Sequence, residues 1–168
     1  MDDAKIFLAR VLPWAPLGDP NAYFNVHWTF QKAGYARAAW GGRACHSVEE
    51  MVKAVEFAMK GEGTRDIYFC TSSQRFAEQK VTQSGYGYAI AKREAKTAAL
   101  LRSLFIDLDV KDKSYKTPAD AVKALAEFLT VTKLPRPTLV VTSGGGGMHV
   151  YWCLDIALTS QEWQPLAD

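Results

Sequence analysis

Hydrophobic and polar positions change period several times along the chain, and each change predicts an element. From Asn21 to Phe30, Tyr23, Asn25 and His27 alternate with Phe24, Val26 and Trp28, a period of two that predicts a strand. A loop rich in Gly and Ala follows. Ser47-Val48-Glu49-Glu50 then reads as a capping box, and Val48, Met51, Val52 and Val55 recur at helical spacing until Gly61 and Gly63 close the helix. Asp66 to Cys70 predicts a short strand running into Thr71-Ser72-Ser73-Gln74-Arg75, which reads as a polar, functional loop. Leu104 to Val110 predicts an apolar strand carrying two aspartates. Thr117-Pro118-Ala119-Asp120 predicts the cap of a helix whose inner face is Val122, Leu125, Ala126 and Leu129, with Leu134-Pro135-Arg136-Pro137 as its stop. The β-branched run Thr138 to Thr142, a glycine loop and the strand Met148 to Leu154 follow. Strand, helix, strand at this spacing predicts an α/β fold of the α+β kind: a mixed sheet with flanking helices, the glycine loop marking an antiparallel return.

Composition narrows the class without assigning a function. With 168 residues, 48% hydrophobic and 23% charged, the chain reads as one globular domain over 1–168, containing an α/β module over 1–75 and a second unit over 102–155. The 20 Lys and Arg against 18 Asp and Glu leave a net charge of +2, too small for nucleic-acid binding through the whole-molecule field. A basic footprint must therefore be local. Arg75 to Arg102 supplies it, with Arg75, Lys80, Lys92, Arg93, Lys96 and Arg102 against Glu78 and Glu94, and with Tyr86 and Tyr88 between them for stacking. Cys45, Cys70 and Cys153 form neither a Cys-x-x-Cys pair nor an even framework, which predicts a reducing, cytoplasmic compartment. No secretory signal and no apolar run of the ~18 residues a spanning helix needs is present, so no membrane partner is expected.

Candidate chemistry concentrates at two places. In Phe105-Ile106-Asp107-Leu108-Asp109-Val110, a strand directs Asp107 and Asp109 to one face, roughly 6.6 Å apart at the backbone, while Ile106, Leu108 and Val110 face the core. Two carboxylates on one face repel unless a cation lies between them, and Mg²⁺ or Mn²⁺ uses one or two carboxylates plus substrate phosphates. In Ser143-Gly144-Gly145-Gly146-Gly147-Met148-His149-Val150-Tyr151-Trp152, the glycines allow close backbone approach and offer N–H groups to phosphate oxygens. Ser143 and His149 add donors, and His149 and Tyr151 alternate onto one face of the outgoing strand. Lys111, Lys113 and Lys116 follow the acidic strand, and Lys113 is retained as a phosphate contact.

This acidic strand, followed by a helix and a β-branched strand ending in Ser, glycines, His149 and Tyr151-Trp152, resembles the archaeo-eukaryotic primase superfamily, in its phage and plasmid primase-polymerase branch. The match runs from about Arg102 to Leu154. The resemblance implies a core that includes an RRM-like unit and joins nucleotides on a DNA template with divalent metal. Asp107 and Asp109 then match the metal-binding acidic motif, with His149 among the catalytic residues. Ser143, the glycines and His149 match the motif that contacts the incoming nucleoside triphosphate. DNA template and primer are the implied partners, together with a replicative helicase, in the cytoplasm of a microbial host. That family uses a third carboxylate on a later strand. Asp155 is misplaced for it, so the chain reads as the N-terminal part of a catalytic domain, incomplete at its C-terminus.

Two other classes compete. A non-catalytic nucleic-acid-binding replication module would use Arg75, Lys92 and Arg93 and leave the acidic pair idle. A haloacid-dehalogenase-type phosphatase would use Asp107-Leu108-Asp109-Val110 with Thr142, but the lysine and paired acidic motif it needs do not occur after Thr142.

Overall fold

The computed structural model describes the chain except residues 1, 16, 32–38, 84–85, 112–113 and 143–144, and it gives no side-chain environment for 79–83 and 86–90. It is an α+β protein that divides into two compact units, Met1–Arg102 with Ile156–Pro165, and Ser103–Asp155 with Leu166–Asp168. No helix of the described residues is long and apolar enough to cross a membrane.

The first unit is built on an antiparallel sheet ordered β2-β1-β3, with β1 at Phe24–Phe30, β2 at Ala39–Cys45 and β3 at Thr64–Phe69. β1 pairs Phe24 with Cys45 and Val26 with Phe69. The predicted alternation is present, yet it separates no wet face from a dry one. Asn25 and His27 are as buried as Phe24 and Val26, as befits a central strand covered on both sides. Helix α1 (Asp2–Val11) brings Phe7 edge-on to Phe69, and Trp14, just after it, stacks on Phe24. Helix α2 (Val48–Met59) presents Phe57 to Trp28. An added Cβ on Gly41 would lie 2.3 Å from the Trp28 indole, so only glycine lets that ring cross β2.

Three expectations are corrected in this unit. At α2, Ser47 Oγ accepts from the Glu50 amide, but the Glu50 carboxylate reaches back to the His46 amide at 2.7 Å rather than to Ser47. The buried stripe is Met51, Ala54 and Ala58 instead of Val48, Met51, Val52 and Val55, since alanines let the helix axis approach its neighbours closely. The stretch read as a functional loop contains strand β4 (Ser72–Gln74), all three residues of which are buried. It tolerates burial because its side chains are hydrogen-bonded: Thr97 Oγ1 donates to Gln74 Oε1 at 2.7 Å, Gln74 Nε2 to Ser72 Oγ at 2.8 Å, and the Leu100 amide to Ser73 Oγ at 3.1 Å. Strands β5 (Glu78–Gln83) and β6 (Tyr86–Ala91) form a separate antiparallel pair.

Strand β7 (Ala98–Leu108) starts six residues before the predicted strand and ends two residues short of Val110. Its first residues pair with β4, Ser72 opposite Leu101 and Gln74 opposite Ala98. In the second unit the strand order is β7-β9-β8, with β8 at Leu139–Thr142 and β9 at Met148–Thr159. The glycine loop does mark an antiparallel return, with Thr142 opposite Met148 and Leu139 opposite Tyr151. Helix α3 (Pro118–Thr132) connects β7 to β8, and β9 lies between those two strands. The predicted cap is present in full. Thr117 Oγ1 accepts from the Asp120 amide, and the Asp120 carboxylate accepts from the Thr117 amide.

One face of this sheet and the inner face of α3 form the core: Leu108, Ala121, Met148, Val150 and Trp152, flanked by Leu104, Ile106, Val110, Leu125 and Leu129. Ile106, Leu108 and Val110 thus turn inward as predicted. The helix face is rotated from the predicted one, with Ala121 inside and Val122 and Ala126 exposed. Leu125 and Leu129 fix the stripe, and Ala121 extends it by one turn at i−4. The last helix, α4 (Ser160–Ala167), follows β9.

Candidate active site

Inward packing of Leu104, Ile106 and Leu108 forces Phe105 and Asp107 onto the opposite face of β7. Met148, Val150 and Trp152 do the same to His149 and Tyr151 on β9. Neighbouring strands therefore bring Asp107 Oδ1 to 3.4 Å from His149 Nε2, with the two side chains 52% and 45% exposed. Along the same face the Phe105 and Tyr151 rings lie 5.8 Å apart, tilted by 30°. Burial pushes the Tyr151 hydroxyl pKa up, and the Asp107 charge adds to the shift.

Asp109 lies just past the end of β7, in a turn closed by the Tyr115 amide on the Asp109 carbonyl at 3.3 Å and the Lys111 amide on the Tyr115 carbonyl at 3.0 Å. Its carboxylate accepts from the Lys111 ammonium in a close ion pair. The Lys111 pKa is raised, first by that hydrogen bond, then by the Asp109 charge and, after a small opposing effect of burial, by the charge of Asp107. The fields of both carboxylates thus reach one ammonium. Of the three lysines that follow the acidic strand, Lys111 is the one described in contact with its carboxylates. Phe105 had no role in the sequence reading, although it stands two residues before Asp107 and so shares its strand face.

Ser143, Gly144 and Lys113 lie outside the described residues. Of the remaining loop glycines, Gly146 has φ +84°, a left-handed conformation that disfavours other residues, and an added Cβ would meet Pro118 Cγ at 3.3 Å. Gly145 has open space where a Cβ would project. Gly147, just before β9, is buried.

The basic candidates belong to the first unit. Arg75 is exposed and its amide donates to the Thr97 carbonyl at 3.0 Å. Lys92 pairs with Glu94 at 2.9 Å, and the Arg93 guanidinium stacks 3.9 Å above the Trp40 ring. Lys96 also meets Glu94, at 3.0 Å. The side chains of Lys80, Tyr86 and Tyr88 lie outside the described residues.

Among the described residues, no group of three or more His, Cys, Asp or Glu side chains converges as a metal cage. Asp107 and Asp109 nevertheless suit a hard divalent ion of the Mg²⁺ or Mn²⁺ kind, because both are acceptor-only groups open to solvent and such ions retain water and phosphate ligands beside one or two carboxylates. Comparison of the chain with family models, with curated proteins and with solved structures gave no match.

Proposed function

We propose that this chain carries a metal-dependent nucleotidyltransferase site of the primase-polymerase type, acting on nucleoside triphosphates and a DNA template. The observation that carries this reading is the approach of Asp107 to His149 across adjacent strands, on the sheet face opposite the core. The glycine turn leads into that same β9 strand one residue before Met148. In this reading Asp107 and Asp109 hold a divalent ion, which supplies charge neutralisation for the phosphates and the leaving group. His149 and Ser143 hold the triphosphate, the imidazole donating to a phosphate oxygen and its orientation set by the Asp107 carboxylate. The open position at Gly145 leaves room for a ligand to approach the backbone.

Binding tests the reading more directly than turnover. Mn²⁺ and a fluorescent nucleoside triphosphate should bind the wild type together, and Asp107→Asn with Asp109→Asn should abolish the metal dependence. His149→Ala should weaken triphosphate binding by about 1 to 3 kcal/mol, the usual loss for a hydrogen bond to a charged group. Equal Mn²⁺ binding by wild type and the double variant would overturn the reading. Metal-independent, salt-sensitive binding of single-stranded DNA, unchanged in that variant, would point instead to a non-catalytic binding module.

A further inference from the structure

The aromatic pair beside Asp107 and His149 has no part in the proposed chemistry, although it shares their sheet face. Phe105 precedes Asp107 by two residues and Tyr151 follows His149 by two, so the two rings lie one step along the strands, about 6.6 Å at the backbone, on the side away from Asp109. Tyr151 is buried, whereas Phe105 is 43% exposed. With ring centroids 5.8 Å apart and a tilt of 30°, Tyr151 backs a Phe105 ring that still meets solvent.

Phe105 is also one wall of a cavity of about 500 Å³ that lies wholly within the second unit. Leu104 and Ile106 line it from the core face of β7 and Phe105 from the other face, so the cavity runs past the edge of the strand. Phe128, Pro135 and Trp152 form further walls, and Trp152 Nε1 donates to the Pro135 carbonyl at 2.8 Å, which fixes the indole and uses its donor. Of the lining side chains only Asp168 is charged. The volume lies within the roughly 300 to 1,000 Å³ of small-molecule sites, and apolar walls with one exposed aromatic ring suit a planar heterocycle.

We propose, resting on the reading of Asp107, Asp109 and His149 as a triphosphate site, that Phe105 and this cavity receive the nucleobase. The order of surfaces along the strands carries the assignment: the Asp109 turn comes first, then Asp107 with His149, then Phe105 and the cavity beside it. A nucleoside triphosphate has the same order, charged at one end and flat with apolar faces at the other. An aliphatic ligand would fill the cavity but make no use of the charged row next to it. The base is held by stacking on Phe105, because the lining side chains offer no uncommitted hydrogen-bond donor.

The test measures binding of ATP, GTP and inorganic triphosphate to the full chain in saturating Mn²⁺. Wild type should hold ATP about tenfold more tightly than inorganic triphosphate, the scale of one base stacked on an aromatic side chain. Phe105→Ala should erase that advantage and leave the affinity for inorganic triphosphate unchanged, whereas Phe105→Trp should keep the advantage. Leu134→Trp, which narrows the cavity that Leu134 also lines, should weaken ATP alone. Equal wild-type affinity for ATP and inorganic triphosphate, or an ATP advantage that survives Phe105→Ala, would overturn the base subsite and leave the triphosphate site standing. Failure of wild type to bind either ligand would overturn the triphosphate site itself, and the subsite with it. Should Phe105→Ala lose both ligands, Leu134→Trp decides. A preference between ATP and GTP above about tenfold would refute a base held by stacking alone, since such a ratio calls for hydrogen-bond readout.

Discussion

His27 and His149 each stand on a sheet strand with one reactive neighbour, and their surroundings differ in nearly every other respect. His27 sits on the central strand of the first unit, closed on both faces, next to a thiol. His149 lies on a sheet whose other face holds the core, next to a carboxylate, with nearly half its side chain exposed. The contrast shows that whether a strand is covered once or twice decides what its polar residues can do. A doubly covered strand holds its imidazole neutral and away from water, whereas a singly covered one leaves it accessible to anions and ions.

The largest effect that would sharpen this contrast is acid sensitivity. With His27 held near 4 when folded and near 6.5 when unfolded, only the unfolded chain takes up that proton as pH falls through this window. The stabilisation is complete above about pH 6.5 and should be lost toward pH 4, by at most about 3 kcal/mol at about 1.4 kcal/mol per pH unit. Urea unfolding at pH 7, 5.5 and 4 should show that loss in wild type and His149→Gln, and a smaller one in His27→Gln. A wild-type-sized loss in His27→Gln would break the comparison.

Next in size is the glycine turn of the second unit. Gly146→Ala places a Cβ at a left-handed φ and against Pro118, and should cost about 1 to 2 kcal/mol in chemical denaturation. Gly145→Ala, with open space around it, should cost well under half as much. Equal costs would mean that the turn is not constrained where the φ angle says it is.

A smaller change is expected at the acidic strand. Replacing Lys111 with Met removes a cation that competes for Asp109, and should tighten Mn²⁺ binding by about two- to fivefold, as expected for an exposed ion pair. Weaker binding would assign Lys111 a supporting role at the site. The smallest effect is electrostatic: Asp107→Asn should lower the Tyr151 pKa, followed by tyrosinate absorbance, while burial keeps it above the ordinary value.

Much of the second unit was legible because its signals are local. The Thr117-Asp120 box, the helix that follows and the antiparallel return at the glycines depend on residues within a few positions of each other. Asp107 and His149 stood out because alternation sets a side chain's face whatever the strand's partners. The first unit was harder to read, since period two in β1 gave no hint that Asn25 and His27 would be buried. That depends on residues as distant as Lys92 and Cys70. Ser72-Ser73-Gln74 misled for a related reason: a polar tripeptide reads as a loop until Thr97 and Leu100 supply its partners. Lys92 and Arg93 read as nucleic-acid contacts, and nothing in the sequence pattern indicated that Glu94 and Trp40 would engage them.

The cap of α3 bears on how an anion would be received beside the glycine turn. Pro118, at the first position of that helix, is the residue nearest the space beside Gly146. A helix N-terminus ordinarily attracts phosphate through its unbonded amides and the positive end of its dipole. Here the Asp120 carboxylate already occupies that pole, and the Thr117 hydroxyl takes one of the first-turn amides. An arriving polyphosphate would therefore meet a pole answered by the chain's own acid and would have to bring its counter-charge with it. Affinity for the free anion should be poor, and affinity for the anion already complexed with a divalent ion markedly better.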